Sequence, residues 1–371
     1  MIALPTDEQL FQILLQQGGV GYVIGMASPR FGSRIVFGGS LLDYNSNPMP
    51  FRGDTPFELA SISKVFTAAL LALHAQSDSG LLAKSVTSCP AAGLPLLPSS
   101  YDVITLLNLA NYTSGLPEDD SDLTVDTPSP LPQPYTSLNM YSYLHDGNVA
   151  VSGTGTTFTY SNMAPALLAN ALPAAIGSEL SFAELLARDV TGPLKMSGTR
   201  PYVEVSFTQI PQAFQNGTPM YSGWNQLPAF LGGSGLVSTV NDMLTWLKLS
   251  MGMMPESPLH AIVKPMQTPS TTVISTSAND ELGIGWFLNT LTGTDGNGKS
   301  FWLPIVYKAG EITGSSFICF NQSSEPGATP SEAGMFLLTN NTMSNLANAP
   351  FAVLAALNGM PNATNLTIGA T

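Results

Sequence analysis

The chain has 371 residues, of which 44% are hydrophobic and only 10% are charged, so it is long enough to bury a large core. Its 12 Lys and Arg against 25 Asp and Glu give a net charge of -13, which is the wrong sign for neutralising phosphates and argues against a nucleic-acid partner. The apolar runs are all shorter than the roughly 18 residues that cross a bilayer, so we expect no membrane span.

The first predicted elements are a helix, two strands and a second helix. Residues 6–9 carry the N-cap and early acidic residues that open a helix, and an amphipathic pattern then continues to Gly18-Gly19. Two β-rich runs at 20–27 and 33–40 are joined by a short Pro/Gly turn, which predicts a hairpin. Over 62–75 the apolar residues occupy every face, which predicts a central buried helix.

The middle of the chain is mostly helical in pattern, and β character returns towards the C-terminus. Helices are predicted at 103–110, 164–175, 182–190 and 241–251, with Pro/Gly/Ser-rich loops at 114–136 and 213–235. Strands are predicted at 282–291, 301–308, 316–321 and 334–339, before a closing helix at 347–357.

This order of elements predicts an α+β fold of the α/β-sandwich type. Two N-terminal and four C-terminal strands are easiest to reconcile as one antiparallel sheet, flanked by the terminal helices and interrupted by a large all-helical insertion. We therefore expect residues 1–60 and 275–371 to form an α/β domain and residues 61–274 a mainly helical domain. The functional site would lie in the cleft between them.

Ser61 and Lys64 are the first candidates for chemistry. Of the seven lysines only Lys64 has a serine three positions earlier, and the pair falls at the opening turn of the predicted central helix. Side chains at i and i+3 share a helix face, so the amine can approach the hydroxyl, and the helix N-terminus favours developing negative charge. To accept a proton near neutral pH, Lys64 needs a pKa lowered by about three units through burial and a second cation. The alternative is a chance pattern in which Ser61 only caps the helix.

Residues 57–67, with the sequence FELASISKVFT, closely resemble the nucleophile segment of class C β-lactamases and of their esterase and D-Ala-D-Ala peptidase relatives. Further similarity lies in residues 104–116, 192–196 and 235–239, so the resemblance covers most of the chain. It implies a β-lactamase/transpeptidase-like fold, shared with penicillin-binding proteins, and acylation of Ser61.

The resemblance also implies the second motif of the family, Tyr-x-Asn, at Tyr160 and Asn162. Tyr160 would be a second base whose phenolate is stabilised by flanking ammonium groups, and its phenol would return a proton to the leaving group. Asn162 would bind substrate. Without the resemblance, the ordinary interpretation is an aromatic residue packed in a loop.

The third motif, which is Lys-Thr-Gly in many relatives, resembles the segment that contains Lys308, Ala309 and Gly310. By the resemblance, Lys308 polarises its neighbours and attracts a substrate carboxylate, while Ala309 and Gly310 lie along the substrate. The backbone N–H groups of Ser61 and Glu311 would form the oxyanion hole.

Departures from the family pattern bear on the substrate. Ala309 replaces a hydroxyl-bearing threonine, and Glu311 is acidic where β-lactamases usually have a small residue. Asn345 matches a substrate-binding Asn of the family, but Asn348 stands where β-lactamases often have an Arg. These changes favour ester or peptide substrates over β-lactams.

Competing sites are weaker. The chain has no G-x-S-x-G elbow, and His74, His145 and His260 lack the spacing of metal ligands, so we expect no metal and no cofactor. A triad built on His145-Asp146 would need a distant serine, and such pairs are usually surface patches.

We therefore expect a monomeric serine hydrolase that acts on a small-molecule ester, with β-lactams second and D-alanyl-D-alanine peptides (carboxypeptidase or aminopeptidase activity) third. The rival from another class is a penicillin-recognising sensor or inactive binding protein that acylates once at most. The resemblance favours a secreted or periplasmic location, although no signal-like leader precedes Leu4, which leaves an intracellular location open. Cys89 and Cys319 fit either buried free thiols or a bridge.

Overall fold

The main sheet of the protein unites the two ends of the chain. In the computed structural model, residues 5–15, 21–120, 134–146, 149–215, 217–220, 227–276, 278–312, 314–342 and 348–369 are described. The strands of the main sheet are Gly21–Ser28, Gly32–Gly39, Glu281–Leu282, Phe287–Thr294, Ser300–Glu311, Ser315–Asn321, Gly334–Thr339 and Thr364–Ile368.

Antiparallel pairing links these strands into one layer. The last long C-terminal strand, Gly334–Thr339, pairs with Gly21–Ser28, whose other neighbour is Gly32–Gly39. At the opposite end, Phe287–Thr294 pairs with Ser300–Glu311 and also with the final strand Thr364–Ile368. The predicted antiparallel sheet from both termini is confirmed, and the final strand extends it beyond the prediction.

The sheet is covered on both faces, as an α/β sandwich requires. Along Gly21–Ser28 the side chains of Tyr22 and Ile24 join a core with Leu10 of the first helix, whereas Val23 joins a core formed largely by the helical middle of the chain. A strand buried on both faces has no polar side, which explains its continuous apolar sequence.

Ten α-helices lie in the described part of the chain. They are Asp7–Leu15, Ser63–His74, Leu106–Ala110, Ser137–His145, Met163–Ala175, Phe182–Leu186, Leu231–Ser234, Val240–Ser250, Val263–Met266 and Ala349–Leu357. Short 3₁₀ turns occur at Ala60–Ile62, Leu81–Ala83, Val86–Ser88, Ser99–Tyr101, Tyr202–Glu204, Phe207–Gln209, Pro228–Phe230 and Pro258–Ile262. The central helix Ser63–His74 is buried along its first ten residues and packs on Met163–Ala175 and Leu231–Ser234, as its all-round apolar sequence predicts.

The inserted block is not all-helical, which corrects the prediction. Within it the short strands Arg200–Pro201 and Leu236–Thr239 pair with each other, and Pro56–Glu58, just before the block, completes a three-stranded sheet. Outside the block, Leu41–Leu42 pairs with Pro48–Met49. The helix Phe182–Leu186 is followed by a π-helical turn, Ala187–Thr191. The single helix predicted at 182–190 is therefore divided into two elements.

One predicted loop also contains regular structure. Within 213–235 a hairpin joins Ala213–Gln215 to Thr218–Met220. The sequence signal was the Asn216-Gly217 dipeptide, since Gly217 has φ of 78°, a conformation that hairpin turns require and glycine adopts readily.

Both cysteines, Cys89 and Cys319, are buried free thiols, so the bridge is excluded and the free-thiol alternative holds. Across the described ranges, none of the helices combines the length and apolar character that a membrane crossing demands.

Candidate active site

A strained turn presents Ser61 at the start of the central helix. Ser61 lies in the 3₁₀ turn Ala60–Ile62, directly after the short strand Pro56–Glu58. Ala60 has φ of 46°, in the left-handed region that side chains disfavour, so surrounding contacts must hold it. The carbonyl of Leu59 supplies them, because it accepts hydrogen bonds from Ser316 Oγ at 2.6 Å and from the N–H of Ile62 at 3.0 Å.

Lys64 is buried beside the Ser61 hydroxyl, with three polar neighbours around its amine. Its Nζ lies 2.8 Å from Ser61 Oγ, 2.6 Å from Asn162 Oδ1 and 2.9 Å from the carbonyl oxygen of Gly233. A neutral amine has two N–H donors and one lone pair. Asn162 and Gly233 can accept the two donors, which leaves the lone pair facing the Ser61 hydroxyl.

The surroundings of Lys64 favour that neutral form. Burial holds the pKa of Lys64 well below its ordinary value, and the positive charge of Lys308 lowers it further. The carboxylates of Asp119 and Glu118 act in the opposite direction but are smaller causes. Burial and a second cation are the two causes that the sequence analysis invoked for this lysine.

Tyr160 joins the serine to the second lysine. Its hydroxyl donates to Ser61 Oγ at 2.8 Å and accepts from Lys308 Nζ at 3.3 Å. Burial raises the pKa of Tyr160 to about 12, and the hydrogen bond to Ser61 opposes this shift only in part. Burial thus favours the protonated phenol, which acts against the predicted phenolate, and the role of Tyr160 as a second base stays a prediction.

Lys308 is enclosed by aromatic rings. Only 1% of the residue is exposed, and its Nζ lies 4.9 Å from the ring centroid of Phe287, 5.0 Å from that of Tyr160 and 5.6 Å from that of Tyr112. Burial lowers the pKa of Lys308 to about 7, while Asp280 acts to raise it. Ser61, Lys64, Tyr160 and Lys308 thus form one continuous hydrogen-bonded chain.

Gly310 allows the strand Ser300–Glu311 to approach the serine turn. A Cβ on Gly310 would lie 2.4 Å from the carbonyl oxygen of Leu59 and 2.9 Å from the backbone nitrogen of Ser61. The space beside this glycine is therefore filled by the protein's own backbone. That Gly310 lies along a substrate, as the resemblance implies, stays a prediction.

The remaining predicted site residues lie in different surroundings. Ala309 is half-buried and packs against the aromatic cluster, and Glu311 ends the strand with an exposed side chain. Asn162 is buried with its amide on Lys64. Asn345 lies outside the described residues, and the oxyanion role of the Ser61 and Glu311 N–H groups stays a prediction.

Sequence reasoning missed two neighbours of the site. Tyr112 has φ of 64° and stacks on the rings of Tyr160 and Phe287, with centroids 5.9 and 4.7 Å away. Asp119 accepts a hydrogen bond from Asn162 Nδ2 at 3.2 Å, which turns the amide oxygen of Asn162 towards Lys64. Both follow the predicted helix at 103–110 in sequence, but only the fold brings them beside the lysines.

The histidines have partners elsewhere. His74 contacts Asp189 at 3.0 Å, and His145 and His260 each bond to a backbone carbonyl at 2.7 Å. Among the residues that the structure describes, no group of three His, Cys, Asp or Glu side chains could hold a metal ion.

Comparisons with known proteins agree with this architecture. A family model described as Beta-lactamase matches residues 32–358. The structure of a beta-lactamase/D-alanine carboxypeptidase from Yersinia pestis superposes with a TM-score of 0.70 at 20% identity, covering 95% of this chain and 98% of that one. A class C beta-lactamase superposes with a TM-score of 0.71 at 18% identity, covering 94% of each chain. At these identities the structural similarity shows the shared fold.

A curated relative is similar over part of its length. The D-alanyl-D-alanine-carboxypeptidase/endopeptidase AmpH of Escherichia coli K12 is 27% identical over 198 residues, which is 53% of this chain and 49% of that protein. The chain therefore spans about half the length of the curated relatives that it matches.

Proposed function

Because this chain belongs to the beta-lactamase family, we propose that it is a serine hydrolase that cleaves small carboxylic esters through an acyl ester on Ser61. The observation that carries the proposal is the unbroken chain of hydrogen bonds from Lys64 through Ser61 and Tyr160 to Lys308. Such a chain supplies a proton acceptor on one side of the nucleophile and a proton donor on the other.

In the acylation step, Ser61 Oγ attacks the ester carbonyl carbon while its proton moves to the lone pair of Lys64. The oxyanion that forms would be held by the N–H groups of Ser61 and Glu311. When the tetrahedral intermediate collapses, the carbon–oxygen bond to the alcohol breaks and the leaving oxygen takes the proton of Tyr160. Protonated Lys308 then returns a proton to Tyr160 across their 3.3 Å contact.

Deacylation uses the same groups in reverse. A water molecule attacks the acyl carbon and passes its proton to Tyr160, from which one proton moves back to Lys308. Lys64, protonated since the first step, returns its proton to Ser61 Oγ when the acyl bond breaks. The cycle restores every group, so it needs no co-reactant besides water.

Several features support an ester in preference to a carboxylate-bearing substrate. Burial disfavours the charged form of Lys308, which weakens its attraction for a substrate carboxylate. Ala309 has no hydroxyl to donate, and the exposed carboxylate of Glu311 would repel an anionic substrate.

Turnover of p-nitrophenyl butyrate tests the proposal. We expect sustained release of p-nitrophenol by the wild-type protein and none above background by Ser61→Ala. The matched control is Ser63→Ala, because Ser63 lies in the same turn but its hydroxyl accepts from the N–H of Leu236. This control should stay active although it loses about 1–3 kcal/mol of stability through the unpaired N–H.

A burst of one equivalent of p-nitrophenol with no further release would refute hydrolysis and support an acylated sensor protein. Equal rates for wild type and Ser61→Ala would refute the role of Ser61. A thermal melt of each variant establishes that a lost activity does not come from a lost fold.

A second candidate is cleavage of D-alanyl-D-alanine peptides, which the printed activity of the AmpH relative supports. A third is β-lactam hydrolysis, which the resemblance to class C β-lactamases supports. Release of D-alanine from a diacetyl-Lys-D-Ala-D-Ala peptide, or hydrolysis of nitrocefin, at a higher kcat/KM than p-nitrophenyl butyrate would replace the ester proposal.

We also propose that the site lies in a cleft between an α/β domain of residues 1–60 and 275–371 and a mainly helical domain of residues 61–274. The origin of the side chains supports this division, since Lys308 comes from the main sheet and Lys64 from the central helix. The family resemblance supports a secreted or periplasmic location and a small-molecule substrate.

A further inference from the structure

The amine of Lys308 is surrounded by aromatic rings. The rings of Phe287, Tyr160 and Tyr112 all lie within 5.6 Å of Nζ, which is the distance of a cation–π contact. We call these three residues the aromatic box. Within the described ranges, no acidic side chain lies at ion-pairing distance from this amine.

Asp280, the carboxylate that acts to raise the pKa of Lys308, already has three hydrogen-bond partners. It accepts hydrogen bonds from Tyr307 OH at 2.8 Å, Ser275 Oγ at 2.7 Å and Asn289 Nδ2 at 2.7 Å. The rings therefore provide the direct electrostatic contacts of the buried ammonium, together with the hydroxyl of Tyr160.

We propose that the aromatic box excludes substrate carboxylates from Lys308, and that Phe287 is the residue that restricts the enzyme to uncharged esters. A carboxylate that approached Nζ would have to displace a ring and lose its own hydration in an apolar surround. An uncharged ester does not need to contact Nζ, so it displaces no ring, and Lys308 acts on it only through Tyr160. This inference rests on the proposed ester hydrolysis.

Phe287 is singled out because it contributes only its ring. Tyr160 belongs to the proton chain, and the hydroxyl of Tyr112 anchors that residue to the carbonyl oxygen of Gly285 at 2.8 Å. Phe287 lies on the strand Phe287–Thr294, next to the strand that bears Lys308, and its centroid is the nearest of the three to Nζ.

A matched pair of substrates tests the box. Both are butyryl esters, one of methyl 4-hydroxybenzoate and one of 4-hydroxybenzoate, so their leaving groups differ by one negative charge and one methyl group. For Phe287→Leu we expect kcat/KM on the anionic ester to rise relative to the neutral ester by about tenfold, because the smaller side chain opens a path to the ammonium.

The matched control is Phe158→Leu. Phe158 belongs to the same ring cluster, 6.3 Å from Phe287 and 6.2 Å from Tyr112, but its ring is not among those over Nζ. Its ratio of anionic to neutral activity should stay within twofold of wild type. Phe287→Met, which removes the ring but places a flexible side chain in the gap, is measured as well in case Phe287→Leu unfolds.

The outcomes separate the two proposals. An unchanged ratio in Phe287→Leu and Phe287→Met, with both esters still hydrolysed, overturns the box and leaves ester hydrolysis standing. A wild-type protein that hydrolyses neither ester overturns the proposed function itself. An equal rise in Phe158→Leu also overturns the box, because it assigns the effect to general loosening of the cluster.

Discussion

Asp119→Asn should move the acidic limb of the pH profile of kcat/KM to lower pH. The carboxylate of Asp119 reaches Lys64 through Asn162, which bonds to Asp119 Oδ2 at 3.2 Å and to Lys64 Nζ at 2.6 Å. This negative charge raises the pKa of Lys64, so its removal lowers the pKa and extends the neutral amine to lower pH. An asparagine oxygen can still accept from Asn162, so the geometry is retained.

The size of the shift follows from Coulomb's law. Two unit charges about 8 Å apart at an effective dielectric constant of about 20 interact by roughly 2 kcal/mol. Asp119 is partly exposed, and screening reduces this to about half, so the limb should move by about 0.5–1 pH unit.

The assay is kcat/KM for p-nitrophenyl butyrate from pH 5 to 9 at constant ionic strength. The control is Asp120→Asn, which neutralises the adjacent carboxylate that accepts from Tyr135 OH. Asp120 is not among the charges that act most on the pKa of Lys64. The acidic limb of the pH profile should therefore move less in Asp120→Asn than in Asp119→Asn. A limb that stays in place or moves to higher pH in Asp119→Asn would refute Lys64 as the titrating base.

Three further substitutions test other contacts of the site. Lys308→Met removes the positive charge that lowers the pKa of Lys64, so the acidic limb should move to higher pH, and a shift to lower pH in the same assay would contradict this. Tyr160→Phe removes the proton donor and should lower kcat by about 10²–10⁴-fold, whereas a loss under fivefold by steady-state kinetics would argue against its role. Gly310→Ala forces a Cβ against Leu59, so urea melts should show a loss of about 1–3 kcal/mol and kcat/KM should fall at least 100-fold; full activity would contradict the close packing.

The long elements of the fold were predictable because their sequences carry a strong local signal. Gly334–Thr339 has the predicted bounds, and the central helix differs from its prediction by one residue at each end. Strands of two or three residues, such as Arg200–Pro201, hold too little pattern and exist only because the neighbouring strand Leu236–Thr239 pairs with them.

In the candidate site, too, contacts set by local sequence were predictable and contacts set by the whole fold were not. The spacing of Ser61 and Lys64 on one helical turn made their contact predictable, since it depends on local geometry. Burial depends on the whole fold, and it is the largest cause that raises the pKa of Tyr160. The contact of Phe287 with Lys308 depends on the register between two strands, which the separate sequence segments do not specify.

Peptide mapping of the acyl adduct tests the central claim most directly. The wild-type protein is quenched in acid during turnover of p-nitrophenyl butyrate, digested with trypsin and sequenced by tandem mass spectrometry. The account predicts one butyryl group on the peptide of residues 53–64, with fragment ions that assign it to Ser61 and not to Ser63. A butyryl group on any other residue would contradict the account. So would continued turnover of the ester with no butyryl group found on Ser61 after the acid quench.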